Sequence, residues 1–341
     1  MVERFGGNPV FKHLGKLVLG AVVAMATAVA WPVHAETWTA SHQFPPGDPR
    51  DLALQAIAHD MAAAGLTIKV FPAASLLRPG DQWNGLINGS VDMAFTPADY
   101  LIERFPQLAV LSLPGMIGTR AQAEKAGVSA PMHELRRLIE AEGVMILADS
   151  WSTGAIGGRR KCILAPQDAR GLRARVIGKY MAETWSAAGA IPVSAPTSDT
   201  LATLVDSNLI DIANTSTATL LTLRKQHQFA CITIPGEAGA LWSLWQPILI
   251  SKRRFDALDE PRRQALLTAA ARAQEALAVS TPVTERRLAE EFKASGGRVV
   301  SMDAETLAAW HKLARRTAWK MFREQIPGGG ELIDRMQQAV E

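Results

Sequence analysis

The sequence is short of what catalysis and metal binding usually require. Its one Gly-Lys pair, Gly15-Lys16, lacks the Ser or Thr that completes a phosphate loop. No Gly-x-Gly-x-x-Gly turn follows a strand-like run. His42, His59, His133, His227 and His311 show no metal-ligand spacing. Gly127-Val128-Ser129-Ala130-Pro131 begins like a nucleophile elbow but ends in proline, inside a polar helical context. Strong charge of one sign is also missing: the 341 residues carry a formal net charge of +3 and no basic stripe interleaved with aromatics. That argues against nucleic acid as a partner. Only two cysteines occur, Cys162 and Cys231. Each enters an apolar, strand-like run expected near a crossing between lobes. In an oxidising compartment they either pair or remain two buried thiols. No cofactor or metal is expected, and these absences favour a binder over a catalyst.

An export signal is present at the N-terminus. Arg4, Lys12 and Lys16 precede the apolar run Leu17 to Ala30, and Val33-His34-Ala35 places small residues before a signal-peptidase cut. At 14 residues the run is short for a membrane span of about 20. Residues 1–35 are therefore expected to be a signal peptide. Removing their three cations and one anion (Glu3) leaves a formal charge of +1.

Strand and helix signals alternate in the remainder. Thr37 to Ala40, Thr67 to Phe71 and Val91 to Phe95 read as strands, separated by helices over Leu52 to Ala64 and Trp83 to Asn88. This rhythm predicts an α/β layered fold. The charged stretch Val279 to Ala294, with no breaker after Pro282, predicts a long helix near the C-terminus. Leu86 to Thr96 (LINGSVDMAFT) and Val205 to Thr215 (VDSNLIDIANT) align without a gap. Gly89 falls on Asn208, the two residue types that best tolerate a left-handed helix end. Asp92 and Asp211 also coincide, and are expected to cap turns. Similar strand–loop–helix–strand surroundings on both copies predict two lobes built alike. A cleft between them would be faced by the carboxyl ends of the strands, where Thr96 and Thr215 lie.

Within Gly171 to Gly178 (GLRARVIG), a short strand carries Arg175 in its interior, where covered strands usually hold Val, Ile or Leu. One reading is an edge strand with its guanidinium in water; the other is an arginine aimed into the cleft to hold an anion. The stretch Ala165 to Thr215 resembles the solute-binding subunits of tripartite ATP-independent periplasmic (TRAP) transporters, the DctP family. Asp168, Gly171, Leu172, Arg175, Val176, Gly189, Ala190, Pro192 and Asp211 match that family's pattern. The resemblance extends to Val70–Phe95, Phe105–Ile117 and Ile248–Glu275. It implies a two-lobed periplasmic solute-binding fold with a central ligand cleft, hinge strands and a long C-terminal helix. The implied lobes are 36–152 with 240–281, and 153–239 with 282–341. It further implies a monomer that binds a small organic acid and delivers it to TRAP integral membrane subunits.

In the family, the arginine matching Arg175 pairs with the ligand carboxylate. A planar fork of donors meets two carboxylate oxygens at once, which lysine cannot copy. Either Arg159 or Arg160 would be the family's second arginine. Gly178 stands where some members have a ligand-binding asparagine, and Ser198 where an aromatic or polar contact is common. Thr215, with Asn214 beside it, fills a position often held by asparagine. Trp151 and Trp245, at strand ends near a lobe crossing, are candidate cleft walls. His42, in the first strand-to-loop corner, occupies a cleft position on the family pattern, and Thr96 is a candidate hydroxyl donor. Two other classes remain beside the transport receptor: a periplasmic sensory module, and an enzyme on the same bilobal fold, which would need an acid–base pair in the cleft. Cleavage is expected after Ala35; intact-mass measurement of protein from envelope fractions should give a chain beginning at Glu36, and retained Met1 would contradict the signal peptide.

Overall fold

The structure, a computed structural model, describes residues 37–195 and 197–341. The signal peptide and its cleavage point lie outside the described residues. The chain opens with β1 (Thr37–His42), α1 (Pro49–Ala63), β2 (Thr67–Phe71), α2 (Gln82–Asn88), β3 (Met93–Phe95), α3 (Arg120–Gly127), α4 (Ala130–Glu140) and β4 (Val144–Ala148). It crosses into β5 (Trp151–Gly158), β6 (Arg173–Val176), α5 (Lys179–Ala187), β7 (Ile191–Ser194), α6 (Ser198–Asp206), β8 (Ile212–Ser216), α7 (Thr217–Leu223), β9 (Cys231–Ile234) and β10 (Ser243–Trp245). Then come β11 (Ile248–Ser251), α8 (Lys252–Asp256), α9 (Glu260–Ala294), β12 (Arg298–Ser301), α10 (Ala304–Arg316), α11 (Ala318–Gln325) and α12 (Gly329–Val340).

Two sheets result, ordered β2-β1-β3-β11-β4 and β12-β9-β5-β8-β6-β7, with β10 added to β5. Each contains the same parallel triplet, β2-β1-β3 or β7-β6-β8. Each triplet is flanked by an antiparallel strand, β11 or β5. The internal sequence match falls on equivalent pieces of the two triplets. Gly89 (φ 80°) and Asn208 (φ 55°) both take the left-handed conformation that ends the preceding helix. Asp92 accepts the Thr39 N–H at 2.7 Å and donates its own N–H to Thr39 O at 3.0 Å. Asp211 does the same with Arg173, at 2.9 and 2.8 Å. In both copies the aspartate ties the incoming strand to its parallel neighbour, and an arginine, Arg254 or Arg173, closes the contact from outside.

The helix α9 bridges the two layers. Asp259 caps its start by accepting the Arg262 N–H at 2.9 Å. Leu266, Ala269, Ala270, Ala273 and Leu277 pack in the core of the first sheet. Leu288 and Phe292 pack in a core of the second. Pro282, which removes one helix hydrogen bond, sits between the two apolar stretches. The final helices depart from the division inferred from sequence. Trp310 of α10 packs with the second sheet's residues, but Trp319, Phe322, Ile333 and Met336 return to the first lobe's core, among Leu135, Ile139 and Val144. α12 packs against α3 and α4, while α11 lies between α12 and α5 and Trp319 Nε1 donates to Pro114 O at 2.9 Å, so the chain meets the first lobe again after Thr317.

Cys162 and Cys231 are bonded, with Cα atoms 5.0 Å apart. Their placement corrects the sequence-based expectation of strands near the lobe crossing. Cys231 opens β9, while Cys162 lies in the connector beyond β5, at the end remote from Trp151. The bond closes a loop with a sequence separation of 69 residues, for which restriction of the unfolded chain stabilises by about 2–4 kcal/mol. The double variant Cys162→Ser/Cys231→Ser is therefore expected to lose that amount in urea unfolding, with no further effect of reductant. Midpoints unmoved by both the substitutions and the reductant would contradict the bond.

Candidate functional site

The parallel triplets aim the carboxyl ends of β1, β3, β6 and β8 at the space between the sheets. Arg175 is 2% exposed, although its strand neighbour Arg173 reaches solvent and Asp211. Its guanidinium is fixed by protein carbonyls: Nε donates to Ala195 O at 2.7 Å and Nη1 to Asn214 O at 2.9 Å. Neither carbonyl carries a formal charge. Burial lowers the Arg175 pKa to about 10, opposed by the nearby Tyr100 and Asp99. The group remains a cation at neutral pH, in surroundings that favour an anionic partner.

A cavity of about 30 Å³ lies against this guanidinium, with Asp99, Ser112, Asn214, Thr215 and Trp242 among its walls. Burial raises the Asp99 carboxyl above its ordinary range, against the lowering effects of a Ser112 hydrogen bond and the Arg175 charge. It pushes the Tyr100 hydroxyl up to about 12, again opposed by Arg175. The Gln43 side chain reaches that hydroxyl. Among the described residues, the cavity walls carry two buried oxygens without a hydrogen-bond partner, Asn214 Oδ1 and Tyr180 Oη, and Ser41 Oγ and Gln43 Oε1 are likewise unpartnered in the first lobe. Orphaned buried acceptors cost about 1–3 kcal/mol each. Ser41 pairs with Ala94 and Arg175 with Ala213, and these alanines coincide in the internal repeat. Ser41 is thus the first lobe's counterpart of Arg175.

Arg175, Asn214 and Thr215 are brought together; the other candidates are not. Arg159 donates to Val205 O and Ile210 O, at 2.6 and 3.0 Å, and so closes the end of α6 away from the carboxyl ends of the strands. Arg160 is exposed. Neither guanidinium borders the Arg175 cavity, because the connector after β5 leaves at the opposite end of the sheet. His42 is fully buried, with Nε2 3.0 Å from Asp51 and Nδ1 accepting the Phe44 N–H at 3.1 Å; both ring nitrogens are occupied inside the first lobe. Thr96 is buried beside Pro247, to whose carbonyl its N–H donates at 3.3 Å. Ser198 begins α6, half-buried and outside the cavity walls. Trp245 packs in the first lobe's core and donates Nε1 to Asp149 at 2.9 Å. Trp151, its cross-strand partner, lines a different cavity.

Sequence reasoning missed Asp99, Tyr100, Ser112 and Trp242. The signal for Asp99 and Tyr100 was available: they follow β3 within five residues of its end, the same carboxyl-end position that singled out Thr96. Trp242 carries no such signal. It reaches the site because Gly154 leaves room for its ring, and a Cβ at Gly154 would lie 2.4 Å from the indole. Among the described residues, no three His, Cys, Asp or Glu side chains converge as metal ligands.

Comparison with known proteins matches residues 40–325 to DctP, the bacterial extracellular solute-binding protein, family 7. A protein of Albidiferax ferrireducens named solute-binding protein is 27% identical over 308 residues, covering 88% of this chain and 90% of that one. A TRAP periplasmic solute-binding protein from Rhodoferax ferrireducens, solved with bound malonate, is 27% identical with a TM-score of 0.83, covering 89% of this chain and 98% of that one. An extracytoplasmic solute receptor of Bordetella pertussis, solved with pyroglutamic acid, shares the fold at 19% identity and a TM-score of 0.79, covering 89% and 100% of the respective chains.

The closed His42 environment carries a pH dependence. Burial lowers its pKa from 6.5, against the raising effect of Asp51. Below pH 6.5 the unfolded chain therefore binds protons that the folded protein resists, and stability falls as pH drops. The half-buried ring of His311 is shifted the same way by desolvation. The urea midpoint is expected to fall between pH 7.5 and 5.5, and less steeply in His42→Gln; an unchanged slope in that variant would contradict the assignment.

Proposed function

This chain belongs to bacterial extracellular solute-binding protein family 7, the DctP family of TRAP solute-binding proteins, and on that premise we propose that it captures a small organic acid at Arg175. One observation carries the reading: a buried guanidinium, oriented by two carbonyls, borders a cavity between the sheets together with Asn214 and Thr215. The ligand's carboxylate would take the fork of Arg175, and its remaining polar atoms would meet Asn214, Thr215 and the Asp99–Ser112 wall. Asp99 favours acids that also carry a hydroxyl or amide N–H, because such a donor serves a carboxyl already burdened by burial. At about 30 Å³ the cavity has room for roughly one or two waters. Entry of an organic acid therefore requires the lobes to part, and binding favours closure to the extent that the closed form holds the acid better.

The proposed setting is the periplasm, reached through the signal peptide of residues 1–35, with release to TRAP integral membrane subunits. Relatives of this chain are named as solute-binding proteins, and the chain is a binder rather than an enzyme. A thermal-shift screen of organic acids is the first test, since a ligand that binds only the folded state raises the midpoint. Malonate and pyroglutamate are starting members of the panel. For any acid that binds, Arg175→Ala is expected to weaken affinity by roughly 30- to 5000-fold, about 2–5 kcal/mol. Arg175→Lys should recover only part of the loss. Exposed Arg170 is the control: equal losses in Arg170→Ala and Arg175→Ala would reduce the effect to general charge and overturn the clamp.

A further inference from the structure

A second cavity, of about 650 Å³, shares no wall residue with the one at Arg175. Its volume lies in the range of small-molecule sites, about 300–1,000 Å³. The strand β10 separates the two: Trp242 and Leu244 face the Arg175 cavity, while Ser243 faces the larger one. Both lobes contribute to it, the first through α3 and the end of β4, the second through Thr153 and the loop around Glu237. Helix α9 closes one side with Gln274 and Glu285.

The charges in this cavity do not balance. Arg120 pairs with Glu124 at 2.7 Å, and Arg136 pairs with Asp149. Two carboxylates remain, Glu237 and Glu285, and among the described residues neither has an ion-pair partner. Glu285 is half-buried and receives one hydrogen bond, from the neutral Thr153 hydroxyl. Trp151, two residues before Thr153 on β5, is half-exposed and lines the same space. An indole and an uncompensated carboxylate lining one space can hold a cation with an apolar body, the indole through its quadrupole and the carboxylate through its charge. We propose that this cavity is a second ligand site, selective for organic ammonium compounds with an apolar body, in which Glu285 takes the charge and Trp151 the apolar group. Burial raises the Glu285 carboxyl above its ordinary range, so a cation arriving there relieves a desolvated acid.

Isothermal titration of the purified protein with phenethylamine and benzyltrimethylammonium tests this, with 2-phenylethanol as the uncharged control. Binding of at least one cation is expected, at least tenfold tighter than the alcohol. Glu285→Gln should weaken it tenfold or more, with an unchanged circular dichroism spectrum, and Arg175→Ala should leave it unaltered. No heat from either cation at millimolar concentration, equal binding of the alcohol, or full retention in Glu285→Gln overturns the proposal. Loss of cation binding in Arg175→Ala also overturns it, by placing the cation in the acid site. Organic-acid binding that survives Glu285→Gln keeps failure here distinct from failure at Arg175.

Discussion

The desolvation of one guanidinium organises this protein. Taking an arginine out of water costs several kcal/mol unless charge and hydrogen bonds replace the solvent. At Arg175 two main-chain carbonyls replace part of it, and they belong to the ends of β7 and β8. The arginine thus ties the loop after β7 to β8, and Asp99 and Tyr100 approach it from the first lobe. Any shift between the lobes changes what the arginine's charge meets.

Around it, the two lobes repeat a single local solution. A helix ends in a left-handed residue, an aspartate clasps the N–H of the parallel neighbour, and a buried strand runs to the cleft. Gly89, Asp92 and β3 do this in one lobe; Asn208, Asp211 and β8 do it in the other. The repeat breaks at one position. At the equivalent position next to Ala94 and Ala213, the first lobe has Ser41 and the second has Arg175. Similar scaffolds therefore present a short hydroxyl on one side and a fixed cation on the other, an asymmetry suited to a small anionic solute.

The lobes are joined by segments of unequal stiffness. The β4–β5 and β10–β11 links are short extended stretches, whereas α9 is a continuous helix of 35 residues whose interior proline, Pro282, lies between its two apolar stretches. That arrangement leaves two spaces on opposite sides of β10, one small and cationic, one larger and acidic. Each has walls from both lobes.

The alternation of strands and helices, the paired repeat and the strand that carries Arg175 were all legible in the sequence. They follow from local periodicity, turn chemistry and the cost of an arginine within a covered strand. Asn214 and Thr215 were reachable because they lie at a strand's carboxyl end. Arg159 and His42 were misplaced because sequence position does not say which end of a sheet a connector leaves, or whether a ring nitrogen meets Asp51 instead of a ligand. The return of Trp319 and Phe322 to the first lobe was hidden for a similar reason: an amphipathic helix specifies that a face is buried, not against what. By itself the sequence determined the elements and the presence of an arginine inside a strand. Only the tertiary structure decided which groups surround that arginine, because burial and charge balance depend on residues such as Asp99 and Trp242, brought together from distant parts of the chain.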